Sequence, residues 1–362
     1  VGYWNAELYC EFANNAYLNW FGKTPQEMRG IHMPEFLGQE LFTKNEKFIT
    51  AALRGEPQHF ERVLTKTDGS QRHTLSHYIP DTDGDVVRGF FVLVNDVTEL
   101  KSAQFELEER QRHLDADMEA AAEIQRSLLP KEGTCSLGVE ADYRFMPSTI
   151  IGGDIFNVVC LGEQHTGMYM VDVSGHGVPA ALVSVSVAQE LSPSGAVLMD
   201  KDTNQPRSPE IVLGLLDSIF PLERFDKFFS MVYMVYDPDS GLLTYCNAGH
   251  PAPLLLRAGG GMEHLEEGGT LVGMGLGSTY APGQVHITEG DALLIYTDGV
   301  TELESPEGEQ YGDQRLESAF RDAQEANPEH ALQLITSRLQ THADGRPPDD
   351  DISLVYVRFS RI

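Results

Sequence analysis

The segment "GMYMVDVSGHGVPAAL", residues 167–182, decides the fold of the larger part of this chain. Its first seven residues are rich in apolar, β-branched and aromatic types, which predicts a buried strand. The strand ends in the region of Asp172, and two glycines then flank His176. Pro179 follows, and proline is favoured in the first turn of a helix because the N–H groups there have no partner within the helix. The segment therefore predicts a strand that leads into a helix, with an acidic residue and a histidine between them.

The region around this segment, residues 131–362, contains further strands and helices. Five more segments have strand composition and are bounded by Gly, Pro or Asp: 228–237, 242–249, 252–257, 291–299 and 352–359. Three segments have helical composition or an apolar stripe at helical spacing: 178–191, 208–220 and 328–340. The order is neither a regular alternation of strand and helix nor a repeat. It predicts an α+β sandwich, in which sheets pack on each other and helices lie outside.

Acidic residues recur at the strand ends of this region. They are Asp172 and Asp298 after strands, Asp154 in "IIGGDIF" (150–156), and Asp349, Asp350 and Asp351 before the last strand. Carboxylates held close together in a buried place raise each other's free energy, so a positive charge should compensate them. Lys and Arg are nearly absent beside these motifs. Hard divalent cations prefer oxygen ligands, so the pattern predicts a Mg²⁺ or Mn²⁺ site.

Each of these motifs also has a simpler interpretation. Asp-Gly is a common turn dipeptide, so Asp298 alone could mark only a turn, and His250 in "AGHP" could be structural. Residues 152–156, "GGDIF", differ by one letter from the GGDEF signature of diguanylate cyclases. That interpretation is disfavoured because Asp154 comes near the start of its domain and the other strand-end acids have no place in a cyclase. The combination of motifs favours the metal site.

The N-terminal part, residues 1–100, predicts a smaller α+β domain. Residues 9–22 pair a short strand with a helix, and residues 59–100 contain three strands joined by Asp-Gly turns. Residues 101–130 then predict a helical linker, with no Gly or Pro before Pro130. Seven linker positions alternate at spacings of four and three, and five of them are apolar, as on a weak coiled-coil seam: Leu107, Gln111, Leu114, Met118, Ala121, Gln125 and Leu128. This favours a parallel dimer, and the alternative is a single amphipathic helix packed on its own domain.

Bulk properties limit the class of protein. The 362 residues predict two or three domains, and the start at Val1 predicts a fragment of a longer protein. The formal net charge of −29 predicts that neither nucleic acid nor a membrane surface is a partner. No apolar run approaches the roughly 18 residues of a membrane span. The four cysteines form no CxxC pair, which argues against a zinc site and predicts a reducing, cytoplasmic location: Cys10, Cys135, Cys160 and Cys246.

Six ordered motifs carry a resemblance that covers essentially all of residues 120–362. They are "AAEIQRSLLP", "GGDIFNV", "MVDVSGHGVPAAL", "NAGHPAPLLLR", "LLIYTDGVTE" and "DDDISLVYV". Together they resemble the SpoIIE/RsbU-type serine phosphatases, the bacterial branch of the metal-dependent PP2C (PPM) family. Residues 1–100 resemble a PAS sensor domain through "YCEFANNAYLNWFG" and "FFVLVNDVTELK". The resemblance implies a PAS domain (1–100), a helical coiled-coil linker (101–130) and a PP2C-like α/β/β/α sandwich (131–362).

The resemblance also implies roles for single residues. Family members hold two Mn²⁺ or Mg²⁺ ions and activate a water between them. Asp172 would bridge the ions, the carbonyl of Val173 would add a ligand, and Asp298 would be a further ligand. The match favours Asp350 as the ligand of the last motif with Asp351 as its neighbour, while the run Asp349-Asp350-Asp351 leaves the choice open by one residue. Asp154 would serve the second metal or its waters. His176 is one candidate for the general acid, the alternative being a structural role in its glycine turn.

The implied reaction is hydrolysis of phosphoserine or phosphothreonine in a small regulatory protein, such as a STAS-type anti-sigma-factor antagonist, without a phosphoenzyme. Animal members place an arginine on the substrate phosphate, and no counterpart is evident, so recognition of phosphate would fall mostly to the metals. The PAS domain, whose ligand the resemblance does not identify, would control activity through the linker of a homodimer. The alternative function is a catalytically silent scaffold that binds a partner, which the presence of all the acidic motifs disfavours.

Overall fold

A computed structural model describes residues 1–130, 134–192, 195–275 and 279–359, without the side chains of 134–136 and 328. The side chain of Cys135 and the predicted start of the phosphatase domain at residue 131 lie outside the described residues. The chain divides into two compact units, Val1–Leu114 and Asp115–Ile362, and each has a hydrophobic core of its own. The boundary falls within a long helix.

The first unit is built on one five-stranded antiparallel sheet. Its strands are β1 (Gly2–Asn5), β2 (Cys10–Ala13), β3 (Gln58–Thr65), β4 (Gln71–Asp83) and β5 (Val86–Asp96), in the order β2-β1-β5-β4-β3. Its helices are α1 (Ala16–Phe21), α2 (Pro25–Met28) and α3 (Met33–Leu53), followed by α4 (Thr98–Arg126), which continues into the second unit. Trp4, Met28 and Phe90 are fully buried between sheet and helices. This arrangement confirms the predicted α+β architecture of the N-terminal region.

Two six-stranded sheets form the centre of the second unit. Sheet I has the order β14-β11-β10-β9-β8, with β15 also paired to β11, and sheet II has the order β13-β12-β16-β17-β7-β6. The strands are β6 (Thr134–Ser136), β7 (Val139–Met146), β8 (Ile155–Leu161), β9 (His165–Val173), β10 (Phe229–Asp237), β11 (Leu242–Ala248), β12 (Leu254–Leu256), β13 (Met262–His264), β14 (Gly268–Gly269), β15 (Gly283–His286), β16 (Ala292–Tyr296) and β17 (Ile352–Phe359).

Helices cover the outer faces of both sheets. They are α5 (Val178–Glu190), α6 (Pro209–Ile219), α7 (Leu222–Phe225), α8 (Asp298–Thr301), α9 (Gly312–Ala326) and α10 (Ala331–Ala343). Helices α5 and α6 pack on sheet I, whereas α9 and α10 pack on sheet II. Across the described ranges, none of the helices has the length and apolar composition needed to cross a membrane.

The residues of β16 show why the layers stack in this order. Successive side chains of a strand point to opposite faces. Leu293 and Ile295 join the core shared with sheet I, whereas Leu294 and Tyr296 join the core shared with α9 and α10. A strand that is apolar on both faces must be covered on both, so the continuous apolar run "ALLIY" requires a layer on each side. The predicted α/β/β/α sandwich is confirmed.

Candidate active site

Three of the predicted acidic residues line one cavity in the second unit. Asp172 lies near the end of β9 in sheet I, Asp298 begins α8 after β16 of sheet II, and Asp350 stands shortly before β17. The cavity has a volume of about 240 Å³. Its other walls come from the turn after β9, the start of β10 and the loops after β11 and β14: Ser174, Gly175, Phe228, Ser230, Gly249, Pro251 and Leu271. Stacking of the two sheets thus brings together carboxylates that are far apart in the sequence.

Asp172 is the most perturbed of these three cavity-lining carboxylates. Burial, followed by the negative charges of Asp298, Asp350 and Asp351, raises the pKa of Asp172 from 3.8 to about 7. A hydrogen bond with Asp154 acts in the opposite direction. Near neutral pH, this side chain is therefore balanced between its acid and its carboxylate, and a nearby cation would favour the carboxylate.

Asp154 lies behind the cavity, fully enclosed by protein. It is 2 % exposed and precedes β8. The hydroxyls of Ser353 and Thr297 donate to its Oδ2 at 2.6 and 3.0 Å. Burial, then the charges of Asp172 and Asp351, raises the pKa of Asp154 well above its ordinary value despite these hydrogen bonds. Asp154 is not one of the residues that line the cavity, but its hydrogen bond with Asp172 joins it to one that is.

Asp350 and Asp351 have different surroundings although they are neighbours. Asp350 lines the cavity, and burial together with the charges of Asp298 and Asp351 raises its pKa. The backbone N–H of Asp351, which donates to its Oδ1 at 2.8 Å, and to a lesser extent His176 lower it. Asp351 is 3 % exposed. Its Oδ1 accepts from the backbone N–H of Ser148 at 2.8 Å, and its Oδ2 from that of Gly153 at 2.5 Å. The structure therefore places Asp350 at the cavity and uses Asp351 to anchor the segment 148–153.

Two glycines allow this segment to approach the strands closely. A Cβ on Gly152 would stand 2.5 Å from Oδ2 of Asp351, and a Cβ on Gly153 would stand 2.9 Å from the carbonyl oxygen of Val173. Real Cβ atoms do not approach other atoms so closely. The carbonyl of Val173, a predicted ligand, is therefore packed against Gly153.

The two histidines named from the sequence have unlike surroundings. His176 is exposed between Gly175 and Gly177, both at a φ of +78°, and it lies close enough to Asp350 to lower the pKa of that carboxyl. His250 is buried, and burial lowers its pKa from 6.5 to about 3, so its ring is neutral. Its Nδ1 is 2.7 Å from Oγ of Ser230, which lies opposite Asp172 in the sheet. His250 thus holds a cavity-lining serine, and His176 remains the histidine beside the acids.

Several residues in or near the candidate site could not be recognised from the sequence. Gln125 of α4 is 1 % exposed, and its Nε2 donates to the carbonyl of Gly152 at 2.7 Å and to Ser184 at 3.1 Å. Glu302 lies near the cavity, and burial with the charges of Asp298 and Asp350 raises its pKa. In the sequence, Gln125 is a polar interruption of an apolar seam and Glu302 is one of many acids. Ser230 could have been recognised as a cavity residue only from its pairing with Asp172 across β9 and β10.

The donor set fits a hard divalent cation. Asp172, Asp298 and Asp350 are all carboxylates, and burial followed by the charges of neighbouring acids raises the pKa values of Asp172 and Asp350. Among the described residues, no Lys or Arg forms an ion pair with the acids that line the cavity. Within the same residues, no three acidic, histidine or cysteine side chains already converge on one point as a metal cage. Mg²⁺ usually keeps several waters and takes only one or two carboxylates from the protein. A Mg²⁺ ion that keeps part of its water shell could therefore bind beside Asp172, Asp298 and Asp350 although these side chains do not converge on one point.

Comparison with known proteins identifies relatives of both units. The model of the family "Stage II sporulation protein E (SpoIIE)" matches residues 162–360, and that of the PAS fold matches residues 1–102. The phosphoserine phosphatase RsbP of Bacillus subtilis is 30 % identical over 190 residues, which are 51 % of this chain and 45 % of RsbP. The phosphoserine phosphatase RsbU of the same organism is 26 % identical over 205 residues, 55 % of this chain and 57 % of RsbU.

The chain thus spans about half the length of these curated relatives. Among solved structures, the SiaA-PP2C domain of Pseudomonas aeruginosa superposes with a TM-score of 0.61 at 20 % identity, covering 70 % of this chain and 100 % of that domain. This likeness shows that the second unit has the PP2C fold. Because the SpoIIE match covers more than half of the 362 residues, the chain belongs to the SpoIIE family, with a PAS-fold domain at its N-terminal end.

Proposed function

We propose that this chain is a metal-dependent protein serine/threonine phosphatase under the control of its PAS-fold domain. The observation that carries the proposal is that Asp172, Asp298 and Asp350 line one cavity in a unit with the PP2C fold. The names of RsbP and RsbU, both phosphoserine phosphatases, support the same activity. The substrate would be phosphoserine or phosphothreonine of a small regulatory protein, such as a STAS-type anti-sigma-factor antagonist.

The acidic residues have distinct tasks in this proposal. Asp172, Asp298 and Asp350 would hold two divalent ions, with Asp154 serving them through Asp172 and Asp351 fixing the adjacent segment. Bound Mn²⁺ or Mg²⁺ would polarise the phosphoryl oxygens and make water a nucleophile near neutral pH. Asp172, once ionised, would keep the cavity suited to cations, and His176 at its exposed edge would hold a proton for the departing serine or threonine oxygen.

Control by the PAS-fold domain would pass along α4. Gln125 joins this helix to Gly152, and the neighbouring Gly153 is bonded to Asp351. A rotation of α4 would therefore move the segment that precedes Asp154, and movement of a helix is a known way to bias a two-state element.

In a homodimer formed through α4, this helix would rotate against the same helix of the second copy. Leu100, Leu107 and Leu114 are spaced by seven residues, and they are 68 %, 67 % and 58 % exposed. Apolar residues at this spacing suit a coiled-coil seam. A cytoplasmic location would agree with the free thiols of Cys10 and Cys246.

The test is hydrolysis of p-nitrophenyl phosphate by the purified chain with Mn²⁺ or Mg²⁺, with EDTA, and by the Asp172→Asn variant. We expect turnover that EDTA abolishes and that Asp172→Asn reduces by at least about a hundredfold, because the ions would lose a ligand that the other acids cannot replace. Activity that survives both changes would rule out the metal mechanism. Absence of activity with every metal would favour the scaffold alternative.

A further inference from the structure

We propose that Lys227 binds the phosphoryl group of the substrate. The inference rests on the proposed phosphatase function and adds to it a recognition residue on the chain itself. A phosphate monoester carries up to two negative charges, and it must enter a cavity lined by Asp172, Asp298 and Asp350. A cation at the edge of the cavity would attract the phosphoryl oxygens while leaving the acids free for metal ions.

Lys227 is not itself one of the residues that line the cavity, but its ammonium group contacts residues that are. Its Nζ donates to the carbonyl oxygen of Ser174 at 2.8 Å. Both Ser174 and the following Gly175 line the cavity, as does Phe228, the residue after the lysine. The turn after β9 and the chain that enters β10 thus hold the ammonium group against the residues that form the cavity wall.

Gly175 makes room for this placement. A Cβ on Gly175 would stand 3.0 Å from Nζ of Lys227, and its φ of +78° is a conformation that favours glycine. A larger residue there would press on the ammonium group and restrict its movement. The glycine turn that contains His176 therefore also gives the lysine access to the cavity edge.

The ammonium group has hydrogen-bonding capacity left for a ligand. It carries three N–H donors, and the Ser174 carbonyl takes one. Among the described residues, Lys227 forms no ion pair with a carboxylate, whereas Arg346, the other strong cation near these motifs, pairs with Glu304 and Asp349. An unpaired cation beside several carboxylates is suited to a ligand that brings its own negative charge.

The alternative is that Lys227 only ties Ser174 to β10, and substitution by glutamine separates the two roles. Lys227→Gln keeps an N–H donor for the Ser174 carbonyl but removes the charge, whereas Lys227→Arg keeps the charge. Lys201→Gln changes the net charge by the same amount at an exposed lysine in the connection between α5 and α6. For each protein loaded with Mg²⁺, the dissociation constant of inorganic phosphate is measured by calorimetry, together with KM and kcat for p-nitrophenyl phosphate.

We expect Lys227→Gln to weaken phosphate binding and raise KM by about tenfold or more, with a smaller change in kcat. Lys227→Arg should stay within about threefold of the wild type, and Lys201→Gln should be unchanged. Wild-type phosphate affinity in Lys227→Gln, or an equal loss in Lys227→Arg, would overturn the proposal. If Lys227→Gln does not fold, Lys227→Asn, which also keeps N–H donors without the charge, takes its place. A wild type that hydrolyses no phosphomonoester would refute the phosphatase proposal, while the phosphate titration would still decide the role of Lys227.

Discussion

At the residue scale, the protonation of Asp172 links the site to the stability of the fold. A carboxyl group whose pKa is higher in the folded than in the unfolded chain binds more protons when folded, so the folded state loses stability as pH rises between the two values. For Asp172 this window runs from 3.8 to about 7. A bound cation removes the effect because it stabilises the carboxylate. Without a cation, the ionised Asp172 therefore lowers the free energy of unfolding, and a bound cation would offset this loss.

This argument predicts how metal-free protein responds to pH. In EDTA, the free energy of unfolding of the wild type should fall by roughly 2 kcal/mol between pH 5 and pH 8, relative to Asp172→Asn. The variant removes the titrating group while keeping its shape, so the difference between the two proteins reports the titration of Asp172 together with its effect on Asp154. Urea titrations at four pH values would measure it. Parallel curves for the two proteins would contradict a raised pKa, and saturating Mg²⁺ should abolish or reverse the difference.

At the scale of elements, α4 is a largely charged helix with a buried amide near its C-terminal end. Burial of an amide is unfavourable unless its hydrogen bonds are made, and Gln125 makes them with Gly152 and Ser184. Its Oε1 also accepts the N–H of Gly152 at 3.3 Å. A polar residue on an apolar seam is therefore the point at which the helix is bonded to the segment before Asp154.

Replacement of this amide by a side chain of similar size should loosen the segment. We expect Gln125→Leu to lower the free energy of unfolding of the second unit by about 1–3 kcal/mol, because the carbonyl and N–H of Gly152 lose their partner. It should also lower the affinity for Mn²⁺, measured as the concentration for half-maximal phosphatase activity. Gln104→Leu on the exposed part of the same helix is the control. Equal effects of both substitutions would show that the contact to Gly152 does not matter.

Some of the strands and helices could be predicted from the sequence, whereas several contacts between them could not. The apolar runs in β9, β10, β16 and β17 are dense enough to mark strands, and Pro179 marks the start of α5, so these elements and the layered class of the fold were predictable. Strands β7 and β8 and helix α9 were not among the predicted elements. Asp350 and Asp351 could not be told apart, because which of two adjacent acids faces the cavity depends on how the chain enters β17. Ser353 and Thr297 could not be linked to Asp154, because hydroxyl residues are common in strands and the contact arises only when the sheets stack.

At the scale of the whole molecule, the two units have separate cores and are joined by α4. Helix α4 is therefore a covalent route by which a change in the PAS-fold unit could reach the second unit. The sequence predicts a helical link between two domains because the Gly- and Pro-free stretch separates two regions with different strand patterns. The sequence could not reveal that Gln125 forms hydrogen bonds to Gly152 and Ser184, because a glutamine in a helical segment can equally lie on an exposed face.

Removal of the PAS-fold domain tests whether control passes through Gln125. Deletion of residues 1–100 should change the phosphatase rate markedly, since α4 would lose the domain that orients it. If the influence passes through Gln125, the same deletion in the Gln125→Leu background should change the rate much less, by a factor at least about fivefold smaller. Such a double-mutant cycle measures coupling between two changes and not their separate effects. An unchanged rate after deletion would remove the regulatory proposal, and an equal change in both backgrounds would place the route outside Gln125.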